Sequence, residues 1–145
     1  MRVEDSTLKN DILHKLSMPE GNFYFMDKYI VAEVYEGVIF SWELAEKVIY
    51  EASEFYGSDI KISYITNRIN SYSTIPRDWL NLFREFSKNV VSTAFVNYSG
   101  LGIKNYLVEK IFIRGKVGHF THLMEAVEWT VYQHKKLNVE NPTNA

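Results

Sequence analysis

The stretch from Lys61 to Phe86 constrains the fold most, because it joins a strand pattern to a helix pattern through a polar turn. The segment from Ile60 to Thr66, which overlaps the start of this stretch, is rich in apolar and β-branched residues and predicts a buried strand. Pro76 then predicts the start of a helix, where its missing N–H costs nothing. In an open α/β sheet, functional loops lie at the carboxyl ends of strands. We therefore look for function first in this turn.

The alternation of strand and helix patterns extends over most of the chain. Two runs rich in aromatic and β-branched residues, Asn22 to Met26 and Tyr29 to Tyr35, predict a β-hairpin. Further strands are predicted at 60–66, 92–98 and 119–121, and helices at 41–57, 76–90, 103–113 and 122–136. The expected fold class is α/β with the order ββαβαβαβα, a five-stranded mixed sheet and helices mainly on one face.

The two ends of the chain differ from the middle. Residues 1–21 hold few apolar side chains, and the spacing of Leu8, Ile12 and Leu16 suggests a short amphipathic helix in an N-terminal appendage. Residues 22–137 form the predicted domain. The polar stretch 138–145 is expected to be a disordered tail.

Composition narrows the class of protein. A chain of 145 residues with 46% hydrophobic and 23% charged residues is ordinary for one globular domain. The lack of cysteine excludes disulfides and cysteine nucleophiles and fits a reducing compartment. No apolar run is long enough to cross a membrane, and the first residues lack the apolar core of a signal peptide. We expect a cytoplasmic location and no transmembrane segment.

Charge is unevenly distributed along the chain. Residues 22–60 carry eight acids and two bases, whereas residues 61–116 carry nine bases and three acids. This indicates an acidic side and a basic side of the molecule, unless the charges are only the solvated faces of three helices. Interspersed acids and a sequence pI near 6.1 argue against a nucleic-acid partner.

The turn after the third predicted strand holds the candidate site. Arg68 follows a buried strand, and its guanidinium suits an anion beside the helix start, although a salt bridge to a neighbouring acid is the alternative. Aromatic residues of the following helix are expected in the core. The ligand- or partner-binding candidates are Asn67, Arg68, Asn70, Tyr72 and Arg77.

Signs of catalysis and of cofactor binding are weak. The turn offers no nucleophile–base pair, and no phosphate-binding glycine loop or nucleophile-elbow motif occurs. His119 and His122 straddle a predicted strand-to-helix junction, which separates side chains that a metal would need together. We expect no catalytic residue, no metal and no cofactor.

Two short stretches carry a family resemblance. The segment from Phe120 to Trp129, with a strand ending in Phe and a helix containing Glu-Ala-x-x-Trp, resembles the SpoIIAA-like branch of the STAS superfamily. The turn from Arg68 to Ser73 resembles the equivalent turn of an uncharacterised bacterial subset. The resemblance implies a non-enzymatic regulatory or protein-interaction domain similar to anti-sigma-factor antagonists, whose partner is a kinase or an anti-sigma factor.

The resemblance also implies phosphorylation candidates, by position after the third predicted strand. A phosphoryl group adds about −1.5 to −2 charges to a docking surface. The family has Asp-Ser-[Ser/Thr]-Gly-Leu-Gly at this site, where this chain has Asn-Ser-Tyr-Ser-Thr-Ile-Pro. A similar segment, Asn97 to Gly102, follows one strand–helix unit later and is interpreted as a turn. The candidates are Ser71, Ser73 and Thr74.

A second function is open. The SpoIIAA-like branch is related in shape to Sec14-like lipid carriers, which implies a small-molecule or lipid-binding domain with a pocket beneath the aromatic-rich helices. An orphan hydrolase or transferase is a weaker third alternative. The aromatic content, 15% of residues, and the N-terminal segment are compatible with a homodimer.

Overall fold

The computed structural model describes residues 1–140, in which strands and helices alternate along the chain. The strands are β1 (His14–Met18), β2 (Gly21–Phe25), β3 (Tyr29–Val34), β4 (Ile39–Phe40), β5 (Ile62–Arg68), β6 (Ser73–Thr74), β7 (Val90–Asn97) and β8 (Lys116–Phe120). The α-helices are α1 (Trp42–Tyr56), α2 (Asp78–Phe86), α3 (Gly100–Glu109) and α4 (Leu123–Glu140).

The main sheet is mixed and has six strands in the order β1-β2-β3-β5-β7-β8. The pairs β1–β2 and β2–β3 are antiparallel, and β3, β5, β7 and β8 run parallel. This confirms a mixed sheet that is parallel beyond the opening hairpin. The strand count differs from the expected five because the N-terminal segment adds an edge strand.

The expected helix over residues 8–16 is wrong. Residues His14 to Met18 form β1, which pairs with β2, and Pro19 and Glu20 lie in the turn between these strands. Because β2 is buried along most of its length, its outer backbone groups need partners from another strand, whereas β1 is exposed at alternate residues and its free edge can bond to water. This requirement outweighs a weak helical spacing. Two short 3-10 turns precede β1, and they bury Val3 and Leu8 in the core.

The sheet separates two apolar cores. On one face, Ile30 and Ala32 of β3 pack with Phe25 and with Val48 of α1. On the other face, Val31 packs with residues of α4 and of the N-terminal turns. Because neighbouring residues of a strand point to opposite faces, β3 is buried along its whole length.

Three of the four helices lie on one face of the sheet, as expected. The ring of Phe95 on β7 contacts Trp79 of α2 at 5.8 Å and Tyr106 of α3 at 4.9 Å between centroids. Helix α1 covers the same face through Val48, and α4 covers the opposite face.

Helix α3 does not bury the side that its apolar spacing predicts. Ile103, Leu107 and Ile111 repeat at helical spacing, yet their side chains are exposed. Glu109 and Tyr106 occupy the inner side instead, because α3 packs on polar and aromatic groups of the sheet.

Helix α4 extends further than expected. It continues to Glu140, so it includes the first three residues of the segment 138–145 that the composition suggests to be disordered. The rest of that predicted tail lies outside the described residues.

The buried environment of His134, on α4, leads us to expect that the free energy of unfolding depends on pH. The His134 Nε2 lies 2.9 Å from the Ser63 hydroxyl, which lies 2.7 Å from the Ser92 hydroxyl. Burial, with a smaller contribution from the Lys28 ammonium, lowers the pKa of His134, while Asp27 opposes this. The unfolded chain therefore binds the proton first as the pH falls below about 6.5, and stability is lost from that pH downward.

We expect the free energy of unfolding to fall by about 1.4 kcal/mol for each pKa unit that separates the two states. Urea unfolding between about pH 8 and pH 5 measures the loss. His134→Gln removes this titration, so its stability should depend less on pH over that range. An equal pH dependence in both proteins would contradict the prediction.

Candidate functional site

A cavity of about 200 Å³ lies between α1 and α2 above β3 and β5. Small residues of α1, notably Ala45 and Ala52, leave room on one side, while the rings of Trp79 and Phe86 form the other. Aliphatic and aromatic groups make up most of the wall. They are Ile30, Phe40, Trp42, Ala45, Val48, Ile49, Ala52, Ile60, Ile62, Tyr64, Tyr72, Ile75, Trp79, Leu82, Phe86 and Val90.

The local sequence explains why this space stays open. Alternate residues of β5, among them Ile62, Tyr64 and Thr66, point towards α1 and α2 and form the floor. Helix α1 faces them with a row of small and medium side chains, so it does not fill the volume above the sheet. An apolar cavity of about 150 Å³ stays dry and binds a benzene-sized molecule. The cavity here is therefore large enough for a small apolar ligand.

Arg68 and Glu109 close one end of the cavity with a buried ion pair. The guanidinium donates two hydrogen bonds, Nη1 to Glu109 Oε2 at 2.5 Å and Nη2 to Glu109 Oε1 at 2.7 Å. The two side chains are 7% and 1% exposed. The Trp79 indole also donates to Glu109 Oε1 at 3.0 Å. A bidentate pair of this kind fixes both side chains in one geometry.

Aromatic rings flank the same guanidinium. Its carbon lies 4.8 Å from the ring centroid of Phe95 and 5.2 Å from that of Tyr72. Burial alone lowers the pKa of Arg68, but the neighbouring Tyr72 and Glu109 outweigh burial and raise it. Arg68 therefore stays charged, and the carboxylate of Glu109 neutralises it. Arg68 thus forms a salt bridge, which was the alternative to anion binding in its interpretation from sequence. Its guanidinium is therefore not free to bind an anion.

Two hydroxyls complete the polar end. Tyr72 Oη lies 2.7 Å from Thr66 Oγ1, and Arg68 Nε donates to the same Thr66 oxygen at 3.3 Å. Thr66 is 1% exposed, so this contact satisfies a buried hydroxyl. The polar end can orient a ligand that carries one hydrogen-bonding group.

The mouth of the cavity is held by backbone pairing between distant segments. β4 and β6 pair in parallel through Ile39–Ser73 and Phe40–Thr74. Asp78 Oδ2 accepts a hydrogen bond of 2.8 Å from the Trp42 N–H, so the first residue of α2 caps the N-terminus of α1. Ser41 occupies the N-cap position of α1, but its side chain makes no capping hydrogen bond.

The structure divides the predicted site residues between different places. Arg68, Tyr72 and Thr74 line the cavity. Asn67 points to the opposite face, where its Nδ2 donates 2.8 Å hydrogen bonds to Glu33 Oε2 and to the Met1 carbonyl. Adjacent residues of β5 cannot meet in one site, because their side chains alternate across the sheet.

The remaining predicted residues lie around the mouth. Asn70 Nδ2 donates to the Val34 carbonyl at 3.0 Å, which ties the turn to the end of β3. Ser71 and Ser73 are exposed. Arg77 is exposed and lines a second depression, beside α2, and does not line the cavity.

Three residues that complete the site, Glu109, Ala45 and Ala52, were not predicted from the sequence. Glu109 is the only acid between residues 86 and 124, a stretch with five bases. The small residues Ala45 and Ala52 carry no signal by themselves, since an alanine in a helix fits a packed core equally well. Only the distance between α1 and α2 makes them cavity walls.

Comparison with solved structures gives the class of fold. The chain is similar to an uncharacterized protein from the DUF3478 family with a SpoIIAA-like fold from Shewanella loihica PV-4, at a TM-score of 0.51 and 14% sequence identity. The alignment covers 81% of this chain and 90% of that one. The protein therefore has a SpoIIAA-like fold, as the resemblance implied. No protein-family model and no curated protein matches the sequence.

Within residues 1–140, no helix is both long enough and apolar enough to cross a lipid bilayer.

The buried ion pair leads to a prediction about the free energy of unfolding. Glu109→Gln leaves the Arg68 guanidinium buried without a counter-charge, and breaking such a pair costs about 3–5 kcal/mol. The double variant Arg68→Met with Glu109→Leu removes both charges and should recover most of that loss. Chemical denaturation followed by tryptophan fluorescence measures the stability of both variants. A Glu109→Gln variant as stable as the wild type would contradict the assignment of the pair.

Proposed function

We propose that this protein binds a small apolar molecule in the cavity between α1 and α2. The observation that carries the proposal is the cavity itself, about 200 Å³ with an almost entirely apolar wall and a polar group at one end. Ligand sites are typically concave and mostly apolar, with a few polar groups that fix orientation. The Sec14-like relationship in shape supports the same class of ligand by analogy.

The proposal is one of binding and not of catalysis. The polar groups beside the cavity are bonded to one another: Arg68 to Glu109, and Tyr72 to Thr66. An acid–base pair needs two titrating groups in different environments that both reach the substrate. A charge-neutral network of this kind suits orientation of a ligand.

A cavity-filling variant tests the proposal. Ala45 lines the cavity from α1, and Ala45→Phe should place a ring in the ligand's volume. We expect at least a tenfold loss of affinity for the small, uncharged fluorescent probe naphthalene, since overlap of bound atoms costs more than 1.4 kcal/mol. Trp42 and Trp79 line the cavity and report binding through their fluorescence.

The matched control is Glu46→Phe, which adds the same ring on the exposed side of α1. Its affinity for the probe should equal that of the wild type. Native mass spectrometry of untagged protein from its own host should show a bound apolar molecule that Ala45→Phe lacks. Equal probe affinity in Ala45→Phe and Glu46→Phe would contradict the proposal.

A regulatory function is the second candidate, and the exposure of the turn favours it. Ser71 and Ser73 are exposed and lie in the segment that pairs across the cavity mouth. The Ser71 N–H donates to Glu36 Oε2 at 3.1 Å. A phosphoryl group on Ser71 would repel this carboxylate and weaken the β4–β6 pairing. In this proposal a kinase or an anti-sigma-factor type of protein is the partner, and Thr74 is the less accessible candidate.

The second candidate predicts a charge effect on ligand release. Ser71→Glu places a carboxylate near Glu36, and like charges about 4 Å apart cost on the order of 1 kcal/mol in water. We expect about fivefold faster release of naphthalene in stopped-flow measurements, with Ser71→Gln as the neutral control of equal size. Mass spectrometry of protein from its own host tests for phosphate on the turn. Unphosphorylated protein together with equal release rates would contradict the regulatory proposal.

A further inference from the structure

Helix α3 has its polar side inward and its apolar side outward, the reverse of an ordinary surface helix. Five large apolar side chains of this helix and the 3-10 turn that follows it are 40–73% exposed. They belong to adjacent rows of the helix surface, because residues three and four apart share a face. They are Leu101, Ile103, Leu107, Val108 and Ile111.

The inner side of α3 explains why the helix stays in this orientation. Glu109 is held by Arg68 and Trp79, and the Tyr106 ring lies 4.8 Å from that of His119. Gly102 lies against Asn97, where an added Cβ would come within 2.6 Å of the Asn97 side-chain oxygen. Rotation of α3 to bury its apolar residues would break the ion pair and leave the Arg68 guanidinium without its counter-charge.

The exposed charges of the segment that carries this face are of one sign. Residues 98–116 carry the bases Lys104, Lys110, Arg114 and Lys116, all exposed, against the single acid Glu109. Glu109 is buried and paired, so it contributes no negative charge at the surface. The face therefore combines exposed apolar side chains with uncompensated positive charge.

We propose that the outward face of α3, Leu101 to Ile111, docks on an anionic lipid membrane surface. A helix that lies in the membrane interface has an apolar side that enters the lipid and basic residues that attract anionic headgroups. Lys104 lies among the apolar residues, and its long side chain can extend to the headgroups while its methylenes stay in apolar surroundings. The ten residues of α3 extend over about 15 Å, which is too short to cross a bilayer. In this proposal the helix therefore lies along the membrane surface.

Charge also favours a membrane over a second copy of this chain as the binding partner of the exposed α3 face. In a two-fold symmetric dimer through α3, the same patch of both subunits meets, which brings Lys104 near its own counterpart. Like charges across an interface cost free energy, whereas anionic headgroups neutralise them. This docking does not depend on the cavity between α1 and α2.

Vesicle co-sedimentation tests the proposal with the full chain. We expect binding to vesicles of phosphatidylcholine mixed with phosphatidylglycerol, much weaker binding to phosphatidylcholine alone, and loss of binding at high salt. Lys104→Gln with Lys110→Gln should weaken binding about fivefold per residue. The matched control is Lys47→Gln with Lys135→Gln, exposed on α1 and α4, which should leave binding unchanged.

The apolar contribution is tested separately. Leu107→Ser with Ile111→Ser removes two exposed side chains, so folding should be unaffected and vesicle binding should fall at least tenfold. The control Tyr50→Ser with Tyr132→Ser removes exposed apolar groups on other helices. Equal binding of both double variants, or equal binding to both kinds of vesicle, would overturn the proposal. So would a wild-type dimer that Leu107→Ser with Ile111→Ser dissociates, together with no vesicle binding.

Discussion

The buried pair of Arg68 and Glu109 is the interaction on which the site depends. It joins the end of a central strand to α3, and the Trp79 indole extends it to α2. Taking two charges out of water is expensive, so the pair persists only because both hydrogen bonds are made and aromatic rings enclose the guanidinium. The same contact holds α3 with its apolar side outward. One ion pair thus fixes the polar end of the cavity and the orientation of the exposed face.

The cavity exists because α1 and α2 are connected mainly at the mouth. Asp78 caps α1, and the β4–β6 pairing fastens the turn after β5 to the chain before α1. Between these contacts the small residues of α1 do not reach across to α2. An apolar space that nothing fills forfeits dispersion contacts, which is a cost that a bound molecule would recover. The opposite face of the sheet differs, because α4 and the N-terminal turns pack there as an ordinary core.

Much of the fold was predictable from local patterns, and the site was only partly so. The hairpin from β2 to β3, helix α1 and the parallel strands follow from periodicity and from breaker residues. Strand β1 was not predictable in this way, because its pairing with the edge of β2 overrides a weak helical spacing. Of the predicted site residues, Arg68, Tyr72 and Thr74 line the cavity, yet Asn67 belongs to the other face and Arg68 is neutralised internally. Glu109 is 41 residues from Arg68 in sequence, so no local pattern connects them.

The amino-acid sequence by itself determined the α/β class, the order of the central elements and the position of the polar turn, since these depend on periods of 2 and 3.6 residues along the chain. Only the tertiary structure decided that the alanines of α1 border a cavity, that Arg68 meets Glu109, and that Ile103, Leu107 and Ile111 face outward. Each of these depends on the separation and rotation of elements far apart in sequence. Long-range packing selects them, because the same amphipathic pattern is compatible with either side of α3 facing the sheet.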